Sequence, residues 1–93
     1  MADSFEFDWD AGNRKHLAAH LVTPAEFEQL MNNEPMDLDF AFLGNEERYR
    51  SVGFTNNGRL LSVAWTIRNG KVRAITAFPA RVMDKKAFLK RTQ

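Results

Sequence analysis

The dipeptide Asn-Gly occurs twice in the second half of this chain, at Asn57-Gly58 and Asn69-Gly70, each time between two runs of alternating apolar residues. Both residue types accept the positive φ of a type I′ turn, and such a turn joins antiparallel neighbours. Runs 48–55, 60–68 and 71–78 are therefore expected to form three consecutive strands of one meander. Gly44-Asn45 adds a fourth, 37–43, in which Leu38, Phe40 and Phe42 alternate with Asp37, Asp39 and Ala41. Along 60–68 one face offers Leu61, Val63, Trp65 and Ile67, and the other Ser62, Ala64 and Thr66. The small and hydroxyl-bearing second face is expected to be the less deeply covered one.

The first half reads mainly as helix. Phe5, Phe7 and Trp9 alternate with Glu6 and Asp8, which predicts a short strand over 4–9. Asp10 then caps a helix running to about Leu21, with Leu17 and Leu21 stacked at i,i+4. Thr23-Pro24-Ala25-Glu26 is a capping box with proline at the first helical position. Val22 and Phe27 make a hydrophobic staple across it, Phe27, Leu30 and Met31 form the buried stripe, and Asn32-Asn33 end the helix before Pro35. Asp84 caps a basic C-terminal helix reaching about Arg91. The expected fold class is α+β: one domain over 1–93, ordered β-α-α-β-β-β-β-α. Its helices pack on one face of a four- to five-stranded antiparallel sheet, leaving the other to solvent or a partner.

Ninety-three residues, of which 44% are apolar, can close one core without staples. The chain has no cysteine, which removes disulfides and thiolate metal sites and suits a reducing compartment. Residues 1–10 are acidic and lack the apolar stretch of a signal sequence, and no apolar run is long enough to span a bilayer. A cytoplasmic location with no membrane association is expected.

Charge is sharply segregated. Residues 1–47 hold eleven of the twelve acids and only Arg14 and Lys15 among the bases, whereas 48–93 hold eleven bases and the single acid Asp84. A concentrated positive field attracts polyanions and releases their counterions. The alternative is that the two halves neutralise each other within the fold, although surface ion pairs are worth only about 0–1 kcal/mol each.

Several stretches resemble the BrnT-like toxins of bacterial type II toxin–antitoxin modules, a branch of the RelE-type ribonuclease superfamily. They are Phe7-Asp8-Trp9-Asp10, Gly12-Asn13, and His20 before Val22-Thr23-Pro24-Ala25-Glu26; then Glu47-Arg48-Tyr49, Gly53, Gly58-Arg59, and Arg73-Ala74-Ile75-Thr76-Ala77. Their order and spacing run over roughly residues 7–81. The resemblance implies a compact α+β fold, RNA cleavage without a metal or other cofactor, and a small antitoxin encoded nearby that covers the basic surface. Assembly as a homodimer or a toxin–antitoxin hetero-oligomer goes with it. The chain departs from the family pattern at Ala19 (usually basic), Leu21 (usually glycine) and Phe78 (often arginine), and Ala87-Phe88 stand where Glu and Tyr are usual.

Cleavage of RNA through its own 2′-hydroxyl needs a proton acceptor, a proton donor and fixed positive charge around the phosphorane. His16 and His20 are the only side chains whose ordinary pKa lies near neutrality. His20 is the candidate acid/base, since it matches the family position, with His16 assisting; the alternative is a solvated helix-surface histidine. Arg48, Arg59 and Arg73 are the candidate catalytic phosphate holders, because a guanidinium fork meets phosphate bidentately. Arg50, Arg81, Lys85 and Lys86 extend the field, and Tyr49 is a candidate for stacking on a base. Trp65 fits the core better. The arginines read equally as a charged strand edge that resists aggregation. His16 and His20 have helical metal-pair spacing, but Leu17, Ala18 and Ala19 stand between them, so no metal is expected. The leading function is a metal-independent endoribonuclease toxin; the alternative is a catalytically degenerate RNA- or protein-binding relative.

Overall fold

The computed structural model describes residues 5–91. Helices α1 (Ala11–Ala18) and α2 (Pro24–Asn32) precede strands β1 (Met36–Leu43), β2 (Glu46–Phe54), β3 (Leu60–Arg68) and β4 (Lys71–Pro79), and helix α3 (Val82–Lys90) follows. The strands form one antiparallel sheet in the order β1-β2-β3-β4, the α+β meander that the turn residues predict.

The two Asn-Gly pairs behave differently. Asn69 and Gly70 both take positive φ, 53° and 77°, as a two-residue type I′ hairpin requires. Around Asn57-Gly58 only Gly58 is left-handed (φ 82°). Gly58 N–H donates to the Thr55 carbonyl and Thr55 N–H to the Arg59 carbonyl, so this is a longer loop closed by one left-handed residue. Between β3 and β4 a bulge pairs Ala64 with Thr76 and Trp65 with Ala74, leaving Ile75 outside the ladder.

The alternation sorts the sheet into two faces. Leu61, Val63, Val72, Ala74 and Ala77 join Leu17 of α1, Val22, and Phe27, Leu30 and Met31 of α2 in one buried cluster. Phe27 is its largest fully buried side chain and takes the edges of Phe7 (6.0 Å) and Trp9 (5.7 Å). The capping box of Thr23 and Glu26 forms as expected.

Several details differ from expectation. The strand predicted over 4–9 is a single parallel bridge, Phe7↔Val72, held by Asp8 N–H to the Val72 carbonyl and Val72 N–H to the Glu6 carbonyl; Ser4 lies outside the described residues. The chain leaves the edge of β4 there because Asp10 immediately caps α1, which packs against β4 instead. Next, Asp84 does not cap α3: the cap is Arg81, and Asp84, inside the first turn, accepts from Ser62 Oγ at 2.8 Å. Finally, α3 lies on the second sheet face, since Ser62 alternates with the core residues Leu61 and Val63 and Phe88 meets Phe54 edge-on at 5.2 Å. The helices therefore flank both faces rather than one.

Helix α1 also ends earlier than Leu21. Leu21 N–H bonds the Ala18 carbonyl and Val22 N–H the Leu17 carbonyl, a Schellman closure with Leu21 at the left-handed position (φ 59°). Val22 rather than Leu21 packs on Leu17, and Leu21 is 82% exposed. A leucine there is strained where glycine is not. Leu21→Gly is expected to stabilise the fold by about 0.5–1 kcal/mol, read as a rise of several degrees in the thermal midpoint; an unchanged or lower midpoint contradicts the strain.

Candidate functional site

Beside the β4 edge, α1 overhangs the second sheet face and makes one wall of a cleft of about 270 Å³. Gly12, Asn13 and His16 line it from α1, Glu46 and Arg48 from β2, Thr66 and Arg68 from β3, and Arg73, Ala74 and Ile75 from β4. The floor between Arg48 and Arg73 is Thr66, whose hydroxyl donates to the Glu47 carbonyl and whose register partner is Arg73. This is the small, hydroxylic side of β3, which the sequence marks as the less deeply covered one; in the fold it is closed instead, Ser62 and Thr66 being 1% and 2% exposed, while Ile67 on the other side is 55% exposed.

Arg73 is the most enclosed of the cations, its side chain 17% exposed. Its Nη2 lies 2.8 Å from Asp10 Oδ2, and Nη1 stands 3.5 Å from Asp8 Oδ2. Nη1 is buried without a hydrogen-bond acceptor, because the 3.5 Å contact is an ion pair too long and misaligned to satisfy it. One donor of the fork is thus uncommitted. Arg48 bonds Glu46 through Nε at 2.9 Å.

Arg50 shares the strand face of Arg48 but does not line the cleft. Its Nε reaches both Asp39 oxygens at 3.2 Å, which holds the group more firmly charged, and its Nη1 lies 3.5 Å from Asp84. Arg59 is elsewhere: its Nη1 donates to Glu26 (2.9 and 2.8 Å) and to the Leu21 carbonyl (3.0 Å), tying β3 to the α1–α2 corner. Of the three arginines assigned to phosphate, the fold brings two together and spends the third on structure.

The histidines are likewise separated in role. His16 lines the cleft, with Nδ1 3.3 Å from the bulged Ile75 carbonyl. The tautomer carrying its proton on Nδ1 donates to that carbonyl and leaves Nε2 free as an acceptor. His20 lies past the end of α1, outside the cleft lining, with its ring 5.9 Å from Phe78. The Arg81 guanidinium also lies over the Phe78 ring, 4.7 Å from its centroid, and Lys85 and Lys86 are exposed on α3. Tyr49 is on the opposite sheet face, stacked between Phe40 and Trp65. Among the described residues, no three His, Cys, Asp or Glu side chains converge as a metal site would require.

Both readings of the charge segregation have a structural counterpart. Among the described residues, five of six ion pairs join a carboxylate of 1–47 to an arginine of 48–93. Arg68, Lys71, Lys85, Lys86 and Lys90 have no carboxylate partner among the described residues, so positive charge remains uncompensated around the cleft and along α3. Sequence reasoning passed over Asp8 and Asp10 as the clamp on Arg73; their signal was two acids in F-D-W-D with arginines only far along the chain. Asn13, Glu46, Thr66 and Arg68 gave no comparable signal.

The clamp makes stability depend on pH. The Asn13 backbone N–H and then the Arg73 guanidinium hold the Asp10 carboxyl below its ordinary value. At Glu26, burial pulls upward but the Thr23 N–H and Arg59 outweigh it, and the net shift is also downward. A carboxylate with a depressed folded pKa stabilises above its unfolded pKa and loses that contribution as pH falls through the folded value. The urea midpoint is expected to be flat from about pH 7 to 5 and to fall below about pH 4. Asp10→Asn should shrink that fall, and a midpoint that rises on acidification contradicts the assignment.

A family model described as "Ribonuclease toxin, BrnT, of type II toxin-antitoxin system" matches residues 9–86. Among curated proteins, nothing matches significantly.

Proposed function

The chain belongs to the BrnT family of ribonuclease toxins of type II toxin–antitoxin systems, and we propose that it cleaves RNA in the cleft between α1 and the second sheet face, without a metal ion. Membership implies an RNA substrate and an antitoxin partner. No helix among the described residues is long and apolar enough to cross a membrane, and we place the protein in the cytoplasm, alone or bound to its antitoxin.

The observation that carries the proposal is the convergence of Arg48, Arg73 and His16 on one cleft. The 2′-oxygen attacks its own phosphorus, the P–O5′ bond breaks, and the products are a 2′,3′-cyclic phosphate and a 5′-hydroxyl. The proton leaving the 2′-hydroxyl passes to a base, and the 5′-oxygen takes one from an acid. Arg73 and Arg48 hold the non-bridging oxygens, where negative charge accumulates. His16 offers Nε2 for proton transfer. His20, the family position, stands about one helical turn further on, beside Phe78 and Arg81, and serves the neighbouring nucleotide. Arg50, Lys85 and Lys86 add to the field that draws the strand in.

The competing reading, a binder that has lost catalysis, is favoured by one observation: Phe78 occupies the position where the family often has arginine, and it packs on His20. Incubation of purified protein with a defined RNA in excess EDTA separates the two. The nuclease reading expects fragments ending in 2′,3′-cyclic phosphate, with His16→Ala slowing the cut about 10²–10⁴-fold and His20→Ala slowing it less. Binding without cleavage, weakening steeply with salt, would establish the binder. A larger loss at His20 than at His16 would return the proton transfer to His20.

A further inference from the structure

On the sheet face away from the arginine cleft, four aromatic rings run in a line across three strands. Phe42 and Phe40 stand on β1, Tyr49 on β2 and Trp65 on β3, with Phe40, Tyr49 and Trp65 in register. Successive ring centroids lie 5.5, 5.8 and 4.6 Å apart, and the last two pairs are stacked at 21° and 23°. Trp65 ends the line against the core, while Phe40 and Phe42 are 49% and 62% exposed. Aromatic surface left bare on a folded domain marks an interface. β1 is also an outer strand of the sheet, so one backbone edge is open to another strand.

Charge selects the occupant. Residues 16–47 carry seven Asp/Glu and no Lys or Arg. Two of those acids flank the rings. Asp37 accepts from Ser51 Oγ at 2.9 Å, which in turn accepts from Trp65 Nε1 at 3.0 Å. Glu47 is the register partner of Phe42 and, after burial, the main cause of the raised pKa of the Tyr49 hydroxyl. Neither Asp37 nor Glu47 has a cationic partner among the described residues. An RNA backbone is repelled by such a rim. A second copy paired across β1 would bring like carboxylates together, which is unfavourable between adjacent strands. A protein segment alternating apolar with Lys or Arg side chains meets both the rings and the rim.

We propose that the Phe40–Phe42–Tyr49 stripe with its Asp37 and Glu47 rim is the docking face for a cationic, apolar protein segment that adds along β1, and that this segment belongs to the antitoxin. Naming the antitoxin rests on the toxin reading above; the chemistry of the segment does not. The antitoxin would then grip the toxin on the face opposite its cleft, not over the basic surface that the family resemblance implies.

Fluorescence anisotropy with three probes tests this: a short synthetic peptide alternating leucine and lysine, the same peptide with glutamate for lysine, and a 2′-deoxy oligonucleotide. The leucine–lysine peptide is expected to bind at least about tenfold tighter than the glutamate one. Phe42→Ser and Glu47→Lys should each weaken it about tenfold or more while RNA cleavage stays at the wild-type rate. Equal binding of the two peptides, indifference to Phe42→Ser, or displacement of the peptide by the oligonucleotide from these residues would overturn the proposal. Dimers abolished by Phe42→Ser would assign the face to a second copy instead. Peptide binding with no cleavage by the wild type would overturn the toxin reading alone.

Discussion

An Arg73→Ala protein is expected to cut RNA about 10²–10³-fold more slowly than the wild type, the usual loss when one fixed donor to a developing oxyanion is removed. Arg73 is singled out because it is the most enclosed cation of the cleft and already directional: two aspartates fix its fork, yet Nη1 has no hydrogen-bond acceptor. Nη1 is enclosed beside Asp8 at 3.5 Å, so a phosphate oxygen that reaches it displaces that loose ion pair rather than a formed hydrogen bond. The fold should survive the change, because Asp10 keeps its capping box with Asn13 when the arginine is gone. Arg73→Lys preserves charge but not the fork and should recover only part of the loss. Single-turnover cleavage in EDTA, alongside thermal melts of each variant, separates the chemical effect from a folding one. Wild-type rates in a folded Arg73→Ala protein would remove Arg73 from the mechanism.

Phe27→Ala should have the largest effect on stability, about 3–5 kcal/mol. The ring is fully buried, fills the space between α2 and the sheet, and receives the edges of Phe7 and Trp9, so its removal leaves a cavity with stiff walls. A domain of this length has roughly 5–14 kcal/mol of stability in total, and the variant should sit near the unfolding threshold at ordinary temperature. Urea denaturation measures it. A loss below about 1 kcal/mol would mean that the core can collapse around the missing ring, which the contacts with Phe7 and Trp9 speak against.

Local chemistry was legible wherever one or two residues decide the backbone. The capping box at Thr23 and Glu26, the Asn69-Gly70 hairpin and the antiparallel strand order are of this kind. What depends on packing was not. Whether residues 4–9 pair along a strand is decided by how much of the β4 edge α1 leaves open, and no local pattern carries that. The side taken by α3 is decided by Phe88 against Phe54 and Asp84 against Ser62, contacts between residues far apart in sequence.

The same division runs through the site. Arg48 and Arg73 could be paired from strand alternation and meander order, and they do share the cleft. Arg59 looks equivalent in sequence, but its guanidinium is consumed by Glu26 and the Leu21 carbonyl, partners that only the α1–α2 corner brings near. Choosing His20 over His16 followed from the family position. What brings His16 to the cleft is the Ile75 bulge, which turns a carbonyl toward α1 and has no signature in the residues that form it. Charge segregation proved to have two roles at once: carboxylates of the first half orient arginines of the second, and the surplus positive charge remains on the cleft side and α3.

The central claim is that RNA binds between α1 and the second sheet face, and backbone and side-chain chemical shifts recorded while a non-cleavable 2′-deoxy oligonucleotide is titrated in test it most directly. The account predicts the largest changes at His16, Arg48, Thr66 and Arg73, with Phe40, Phe42 and Tyr49 unmoved. Changes confined to the aromatic stripe, with the cleft residues silent, would contradict it.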